Sequence, residues 1–181
     1  FRSYEDALAR SGNVDFADLI KKAKELLESD DNAREYCHRR FKLVMVDEYQ
    51  DSNREQFNFL QKFVGENTQL VVVGDDDQSI YSFRGAEIEN ILTFSKSFGN
   101  VREIKLEKNY RSTDEILAPA SSLISHNTER HKKDIVSADG KHGQKPIVMC
   151  SMSGVLEAKR VTNIILSERD YNNTAVLYRT N

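Results

Sequence analysis

The stretch "LVMVDEYQDSNREQFNFLQKFVGENTQLVVVG", residues 43–74, predicts the fold class of this chain. It begins with the apolar run Leu43–Val46 and ends with a second run, 70–74. Short continuous runs of this kind are typical of strands that are buried on both faces. Between them, Ser52 and Glu55 have the spacing of a capping box, and apolar residues follow at helical spacing. The order strand, helix, strand predicts a βαβ unit with a right-handed crossover and two parallel strands.

The sequence on either side of this unit continues the alternation of helices and strands. Apolar residues at helical spacing behind Asp15 predict a helix over 15–29 with Asp15 as its N-cap. Further along the chain, the patterns predict helices around 88–92 and over 154–168, and strands over 101–106, 146–150 and 174–178. They also predict a helix that opens with a capping box at 112–115 and is bent by Pro119. We expect the polar segment 128–145 to be an exposed connection.

Composition and charge restrict the class of protein. The chain has 181 residues, of which 39% are hydrophobic and 30% charged, as in a soluble globular protein with one sizeable core or two small ones. Its net charge of -3 argues against a protein that coats nucleic acid, so any contact with DNA must be local. Two cysteines are too few for a disulfide framework. Without a long apolar run or a signal peptide, we expect a cytoplasmic protein.

Two acidic clusters follow the two predicted strands of the βαβ unit. Asp47 and Glu48 come after the first strand, and Asp75, Asp76 and Asp77 come after the second. Because parallel strands release their carboxyl ends at one edge of a sheet, we expect the two clusters to lie close together. Like charges repel at this distance unless a cation or a basic group compensates them. A divalent metal is the economical explanation, and acidic residues that simply solvate a loop are the alternative.

Three stretches of the chain resemble consecutive motifs of one known family. "VDEYQDSN" at 46–53, "VGDDDQSIYSFRGA" at 73–86 and "LEKNYRST" at 106–113, in this order, are similar to motifs of the UvrD/Rep/PcrA family of superfamily-one DNA helicases. The resemblance covers nearly the whole chain. The sequence differs from the family pattern at Ser52, where the family often has Thr, and at Phe83, where some members have Trp.

The resemblance implies a fold and a division into domains. The expected fold class is α/β. The chain would contain an incomplete RecA-like parallel sheet of the P-loop NTPase type, flanked by helices, and the start of a second RecA-like α/β unit. Residues 1–14 would be the end of a helical insertion, and 15–112 the C-terminal part of the first RecA-like ATPase domain. Residues 113–181 would be the N-terminal part of the second RecA-like domain, which is truncated here.

The resemblance also implies roles at the nucleotide. Asp47 is similar to the Walker B aspartate that holds Mg²⁺ through a water, and Glu48 to the base that orients or deprotonates the attacking water. Gln78 is similar to the γ-phosphate sensor, for which a neutral amide is suited. Arg111 resembles an arginine finger, although a single Arg can also be a surface salt-bridge partner. Tyr110 resembles the residue that stacks on adenine, and a core or interface tyrosine is the alternative.

A second group of residues is expected to contact DNA. Tyr81 and Phe83 alternate and are followed by Arg84, and aromatic faces beside a guanidinium are suited to stacking on single-stranded bases. Gln78 and Tyr81 are three residues apart, so a shift at the phosphate sensor could move a base contact. Packing of Tyr81 and Phe83 as half-buried residues is the alternative interpretation.

By this resemblance, the parent protein is an ATP-dependent 3′–5′ DNA helicase and translocase. Its cofactors would be ATP and Mg²⁺, and its partners single-stranded DNA, duplex junctions and repair or replication proteins. The chain contains no G-x-x-x-x-G-K-[ST] phosphate loop, so we expect a fragment that does not hydrolyse ATP by itself. Two alternatives remain open: a metal-dependent nuclease that uses Asp47, Glu48 and 75–77 as a two-metal clamp, and a non-catalytic interaction module that retains the motifs as a scaffold.

Overall fold

The βαβ unit predicted for residues 43–74 is present in the computed structural model, which describes residues 2–138, 140 and 142–178. The helices are α1 (Arg2–Ser11), α2 (Phe16–Ser29), α3 (Asp31–Arg40), α4 (Arg54–Phe63), α5 (Glu89–Leu92), α6 (Phe94–Ser97), α7 (Asp114–Ile124) and α8 (Gly154–Glu168). The strands are β1 (Leu43–Val46), β2 (Gln69–Val72), β3 (Lys108–Asn109) and β4 (Val136–Ser137). Short 3₁₀ turns lie at Tyr49–Asp51, Asp76–Gln78 and Ser82–Arg84. None of the described helices is long and apolar enough to cross a membrane.

Strands β1 and β2 are parallel, as predicted, and they place both acidic clusters at one edge of the sheet. Leu43 is paired with Gln69 and Val46 with Val72. Backbone hydrogen bonds continue past the strands, since Val73 N–H donates to Val46 O (2.8 Å) and Tyr49 N–H donates to Val73 O (3.0 Å). The two chain segments therefore remain side by side as they leave the sheet.

The core lies on one face of this sheet. Its buried members are Tyr49, Phe57 and Leu60, which pack with partly buried residues of β1, β2, α5 and α6. Burial raises the pKa of the Tyr49 hydroxyl to about 12, so this side chain is neutral at physiological pH. On the other face, Met45 is 67% exposed. The prediction that these strands are buried on both faces is therefore wrong for the described part of the chain, because helices cover only one side.

The helix starts agree with the sequence at α2 and differ by one residue at α4. Asp15 is the N-cap of α2, as predicted, and its carboxylate accepts from Asp18 N–H at 2.8 Å. The capping box of α4 is formed by Asn53 and Gln56, each of which accepts from the backbone N–H of the other at 2.9 Å. Ser52 was predicted for this role, but its hydroxyl donates to Tyr49 O at 2.7 Å and so closes the preceding turn.

Helix α8 is confirmed, and the helix predicted around 88–92 is present as the short α5, followed by α6. The N-cap of α7 is Thr113, without a side-chain capping bond, rather than a capping box at Ser112. Pro119 lies inside α7, as the sequence indicates.

Three predicted strands are absent from the described residues. Residues 101–106, 146–150 and 174–178 form no ladder there, and Leu106 is 81% exposed. A strand requires a neighbour for its backbone groups, and these segments have none among the described residues. The second sheet is formed instead by β3 and β4, which pair in parallel. Since β4 lies within 128–145, the prediction that this whole segment is an exposed connection is also wrong.

Candidate functional site

The carboxyl edge of the β1–β2 sheet is the candidate functional site. Asp47 and Glu48 are exposed there, and Asp47 Oδ1 accepts from Glu48 N–H at 2.9 Å. Glu48 has a φ of 49°, in the left-handed region that residues other than glycine seldom adopt. Such conformations concentrate at functional sites and persist where the surrounding structure holds them. The unusual backbone at Glu48 therefore marks this edge independently of its charge.

A buried residue that the sequence analysis missed links the two acidic clusters. Gln50 is only 1% exposed. Its Nε2 donates to Glu48 Oε2 at 2.7 Å, while its Oε1 accepts from Asp75 N–H at 2.9 Å. A side-chain amide can do both because it carries a donor and an acceptor. The only signal in the sequence is an uncharged amide placed among carboxylates directly after the strand.

The hydrogen-bonded path continues from Asp75 to Gln78. Asp75 Oδ2 accepts from Gln78 Nε2 at 2.8 Å, and Asp75 Oδ1 accepts from Asp77 N–H at 3.0 Å. Together with the bonds of Gln50, these contacts join Glu48 to Gln78 through two intermediate residues. The structure thus links the two side chains whose roles as base and phosphate sensor the family resemblance implies.

Gly74 makes the close approach of Gln50 possible, which gives a first prediction. A Cβ at position 74 would lie 2.7 Å from Gln50 Oε1, 2.9 Å from Ile91 Cδ1 and 3.2 Å from the backbone nitrogen of Tyr49. We expect Gly74→Ala to lower the free energy of unfolding by about 1–3 kcal/mol through overpacking, as measured by urea denaturation. Gly99→Ala is the matched control, because a Cβ there meets nothing within 4 Å. Equal stability of the two variants would contradict the close contact.

Basic residues contact all three carboxylates of the second acidic cluster. They come from residues 130–133, which we call the basic strap. Arg130 forms a two-bond contact with Asp77, in which Nε and Nη2 lie 2.6 Å from the carboxylate oxygens. Lys133 Nζ contacts all three carboxylates of Asp75, Asp76 and Asp77. The basic group that the sequence analysis named as one way to compensate this charge is therefore present, and the divalent metal stays a prediction.

These ion pairs keep the groups charged. Burial opposes the ionisation of Asp77, but hydrogen bonds from Arg130 and Lys133 outweigh it and hold the pKa of this carboxyl below its usual value. Burial likewise opposes the charge on Lys133, and its hydrogen bonds to the three carboxylates raise its pKa. The described residues contain no group of three or more His, Cys, Asp or Glu side chains arranged to hold a metal. This arrangement does not favour the two-metal clamp of a nuclease.

The residues predicted to contact DNA form an exposed cluster. The Tyr81 and Phe83 rings lie 5.9 Å apart at an angle of 57°. The Arg84 guanidinium lies 5.0 Å from the Tyr81 ring centre and 5.5 Å from that of Phe83. Phe83 is 76% exposed, so it does not pack in the core. The cluster presents aromatic and cationic surface to solvent.

The comparisons with known proteins cover the whole chain. The model of the UvrD/REP helicase N-terminal domain matches residues 1–99, and the model of the UvrD-like helicase C-terminal domain matches residues 104–181. The chain belongs to the UvrD/REP helicase family. It is 38% identical to DNA helicase II of Escherichia coli and 39% identical to the ATP-dependent DNA helicase PcrA of Staphylococcus epidermidis. Both alignments cover 100% of this chain, and 26% and 25% of these relatives, so the chain spans about a quarter of their length.

In this UvrD/REP helicase chain, the remaining predicted site residues lie in the part matched by the C-terminal model. Tyr110 is 70% exposed, and Arg111 is also exposed. The turn that carries them is held by Asn109, whose Oδ1 accepts from the N–H groups of Arg111 (2.9 Å) and Ser112 (2.7 Å). No hydrogen bond or ion pair within the described residues joins the Arg111 side chain to the sheet edge. The structure therefore does not bring Tyr110 and Arg111 into contact with Glu48 and Gln78.

One of the relatives is named as an ATP-dependent helicase, and the chemistry of Asp47 is suited to the Mg²⁺ ion that accompanies a nucleotide. Mg²⁺ is usually held by one or two carboxylates, several waters and the phosphates of the substrate. Asp47 offers an exposed carboxylate, one oxygen of which accepts from Glu48 N–H. An exposed carboxylate of this kind fits a water-mediated contact with the ion, whereas Asp75–Asp77 are already paired with the basic strap.

Proposed function

We propose that this chain is part of an ATP-dependent DNA helicase that moves 3′ to 5′ on single-stranded DNA and unwinds duplexes. The observation that carries the proposal is the hydrogen-bonded path from Glu48 through Gln50 and Asp75 to Gln78. The names of the relatives, DNA helicase II and ATP-dependent DNA helicase PcrA, support the same activity. In this proposal, the βαβ unit belongs to a RecA-like ATPase domain over 15–112, preceded by a helical insertion at 1–14 and followed by a second RecA-like unit over 113–181.

The roles at the nucleotide are proposed from the family resemblance, and the geometry of the sheet edge supports those of Asp47 and Glu48. Asp47 would hold Mg²⁺ through a water, and the ion would supply positive charge beside the phosphate oxygens. Glu48 is within hydrogen-bond reach of Gln50, which fixes its carboxylate so that it can orient and deprotonate the attacking water. Arg111 would offer its guanidinium to the transferred phosphoryl group, and Tyr110 its exposed ring to adenine. Since neither side chain contacts the edge, both roles require closure of the second unit on the nucleotide.

Gln78 connects nucleotide chemistry to the DNA-contacting cluster. Its amide is bonded to Asp75, and binding of a γ-phosphate would exchange that bond for one to the phosphate. Three residues later, Tyr81 begins the cluster that contains Phe83 and Arg84. Stacking on aromatic faces is tolerant of sequence, as a translocating enzyme requires. A change at Gln78 can therefore reach the DNA contact through a short loop.

The experiment that tests the proposal is ATP hydrolysis by the longer reading frame that contains this chain, with and without single-stranded DNA. We expect hydrolysis that DNA stimulates, and unwinding of a duplex with a 3′ tail but not of one with a 5′ tail. The 181-residue chain alone is expected to be inactive, because its sequence contains no phosphate loop. No hydrolysis by the longer protein would leave a non-catalytic scaffold as the better account.

A second prediction concerns the DNA contact. We expect Phe83→Ala in the longer protein to weaken binding of a single-stranded oligonucleotide by about 5- to 150-fold, since stacking contributes about 1–3 kcal/mol per base. Fluorescence anisotropy at constant salt measures the change. Phe83→Tyr, which keeps a ring, should retain most of the affinity. Phe16→Ala removes an even more exposed ring on α2 (93% exposed, against 76% for Phe83) and should have no effect. Equal affinities of the two alanine variants would exclude Phe83 as a base contact.

A further inference from the structure

We propose that the basic strap, residues 130–133, is a latch that positions the phosphate-sensing loop and couples it to the second unit. Arg130 and Lys133 are positioning residues in this proposal, which rests on the proposed function only for the sensing role of Gln78. The physical contact between strap and loop is independent of that role. An experiment that disproves the latch can therefore be distinguished from one that disproves the helicase proposal.

The contact between strap and loop is dense and directional. Arg130 meets Asp77 with two parallel hydrogen bonds of 2.6 Å, a geometry that fixes the orientation of both planes. Lys133 Nζ lies 3.1 Å from oxygens of both Asp76 and Asp77, and it also contacts Asp75. The backbone N–H of His131 donates to Asp76 Oδ2 at 2.5 Å. Every carboxylate of the acidic cluster thus has a partner in the strap.

Burial distinguishes this network from ordinary surface ion pairs. The exposed fraction of the side chain is 11% for Arg130, 13% for Lys133 and 12% for Asp77. Exposed ion pairs contribute little because water and salt screen them, but removal of one partner from a buried network leaves an uncompensated charge. The loop 75–78 therefore depends on the strap for its electrostatic balance.

Asp75 is the point at which the latch meets the sensor. Its carboxylate contacts Lys133 and also accepts from the amide of Gln78 at 2.8 Å. Its backbone N–H donates to Gln50, which in turn holds Glu48. Along these contacts, Asp75 alone lies between Lys133 and Gln78, and Asp75 and Gln50 lie between Lys133 and Glu48. When Gln78 exchanges its bond to Asp75 for one to a phosphate, Lys133 remains as the cation that stabilises the charge on the Asp75 carboxylate.

The latch joins two parts of the chain that are distant in sequence. The acidic cluster lies in residues 1–99, which the N-terminal family model matches, and the strap lies in residues 104–181, which the C-terminal model matches. The ion-paired residues are 53–58 positions apart. A contact that joins the two parts can transmit the nucleotide state of the first to the second if its strength differs between the nucleotide-bound and nucleotide-free states.

Hydrogen exchange on the 181-residue chain tests the contact without any need for activity. We expect Lys133→Gln to increase exchange about tenfold at residues 75–80 and 128–134, while helix α4 is unchanged. Lys132→Gln is the matched control, because it removes the same charge from the neighbouring exposed position. Equal exchange in the two variants would overturn the latch. If Lys133→Gln also increases exchange in α4, Arg130→Lys is measured instead. This variant keeps the positive charge but loses the two-bond contact with Asp77. Unchanged exchange at Asp76–Gln78 in Arg130→Lys would overturn the proposal.

Steady-state kinetics of the longer protein test the coupling. We expect Lys133→Gln to lower kcat for DNA-stimulated hydrolysis about tenfold with little change in KM for ATP, and Lys133→Arg to recover most of the rate. Wild-type kcat in Lys133→Gln would overturn the coupling role. If the wild-type protein does not hydrolyse ATP, the proposed function fails, and hydrogen exchange still decides whether the strap holds the loop.

Discussion

Replacement of Glu48 by Gln is expected to lower the DNA-stimulated rate of ATP hydrolysis by about 10²- to 10⁴-fold in the longer protein, the range typical of a lost general base. The amide has the same shape as the carboxylate and can still accept a hydrogen bond from Gln50 Nε2, which lies 2.7 Å from Glu48 Oε2. It cannot take a proton from water. The substitution therefore removes the proposed chemistry and leaves the geometry of the sheet edge intact.

Binding and turnover are measured separately for this variant. Affinity for a fluorescent ATP analogue should remain close to that of the wild type, since Glu48 is not proposed to bind the nucleotide. Glu66→Gln is the matched control: it removes an exposed carboxylate that precedes β2, at the opposite end of the sheet. A Glu48→Gln protein that hydrolyses ATP at more than half the wild-type rate would exclude Glu48 as the base.

Replacement of Phe57 by Ala is expected to lower the free energy of unfolding of this chain by about 3–5 kcal/mol. Phe57 lies on α4, is 8% exposed and belongs to the core cluster with Tyr49 and Leu60. Its ring also meets Phe98 edge to face, with 6.1 Å between the ring centres. The substitution removes buried apolar surface and leaves a cavity between the helix and the sheet.

Phe16→Ala provides the comparison for the core substitution. Phe16 is the first residue of α2 and is 93% exposed, so the same change there should cost less than about 0.5 kcal/mol. Urea denaturation followed by far-UV circular dichroism measures both values. Similar losses of stability at the two positions would mean that the packing of α4 on the sheet does not dominate the stability of the chain.

Local patterns in the sequence account for the elements that position the site. The apolar runs of β1 and β2 and the amphipathic pattern of α4 predicted two parallel strands with one crossover helix, and the structure has them. Residues 101–106, 146–150 and 174–178 have similar strand patterns and form no strands among the described residues. A period of two marks a segment that can pair, but pairing also needs a partner strand.

The linking role of Gln50 was not predictable from its own neighbourhood. Nothing in "DEYQD" distinguishes an exposed amide from one that is 1% exposed and bonded to the segments that follow both strands. Its burial depends on Gly74, which lies 24 positions along the chain and leaves room for the amide because it has no Cβ. A contact between two strand ends exists only after the strands have paired.

The sequence by itself determined the family, the parallel βαβ unit and the position of both acidic clusters at one edge, because these depend on short-range patterns and on motif order. Only the tertiary structure decided what neutralises the second cluster. Arg130 and Lys133 supply two positive charges against the three carboxylates of Asp75–Asp77, and they lie more than 50 positions away in a segment with weak local pattern. Coulomb attraction depends on distance in space, and that distance is set by how the chain folds back on itself.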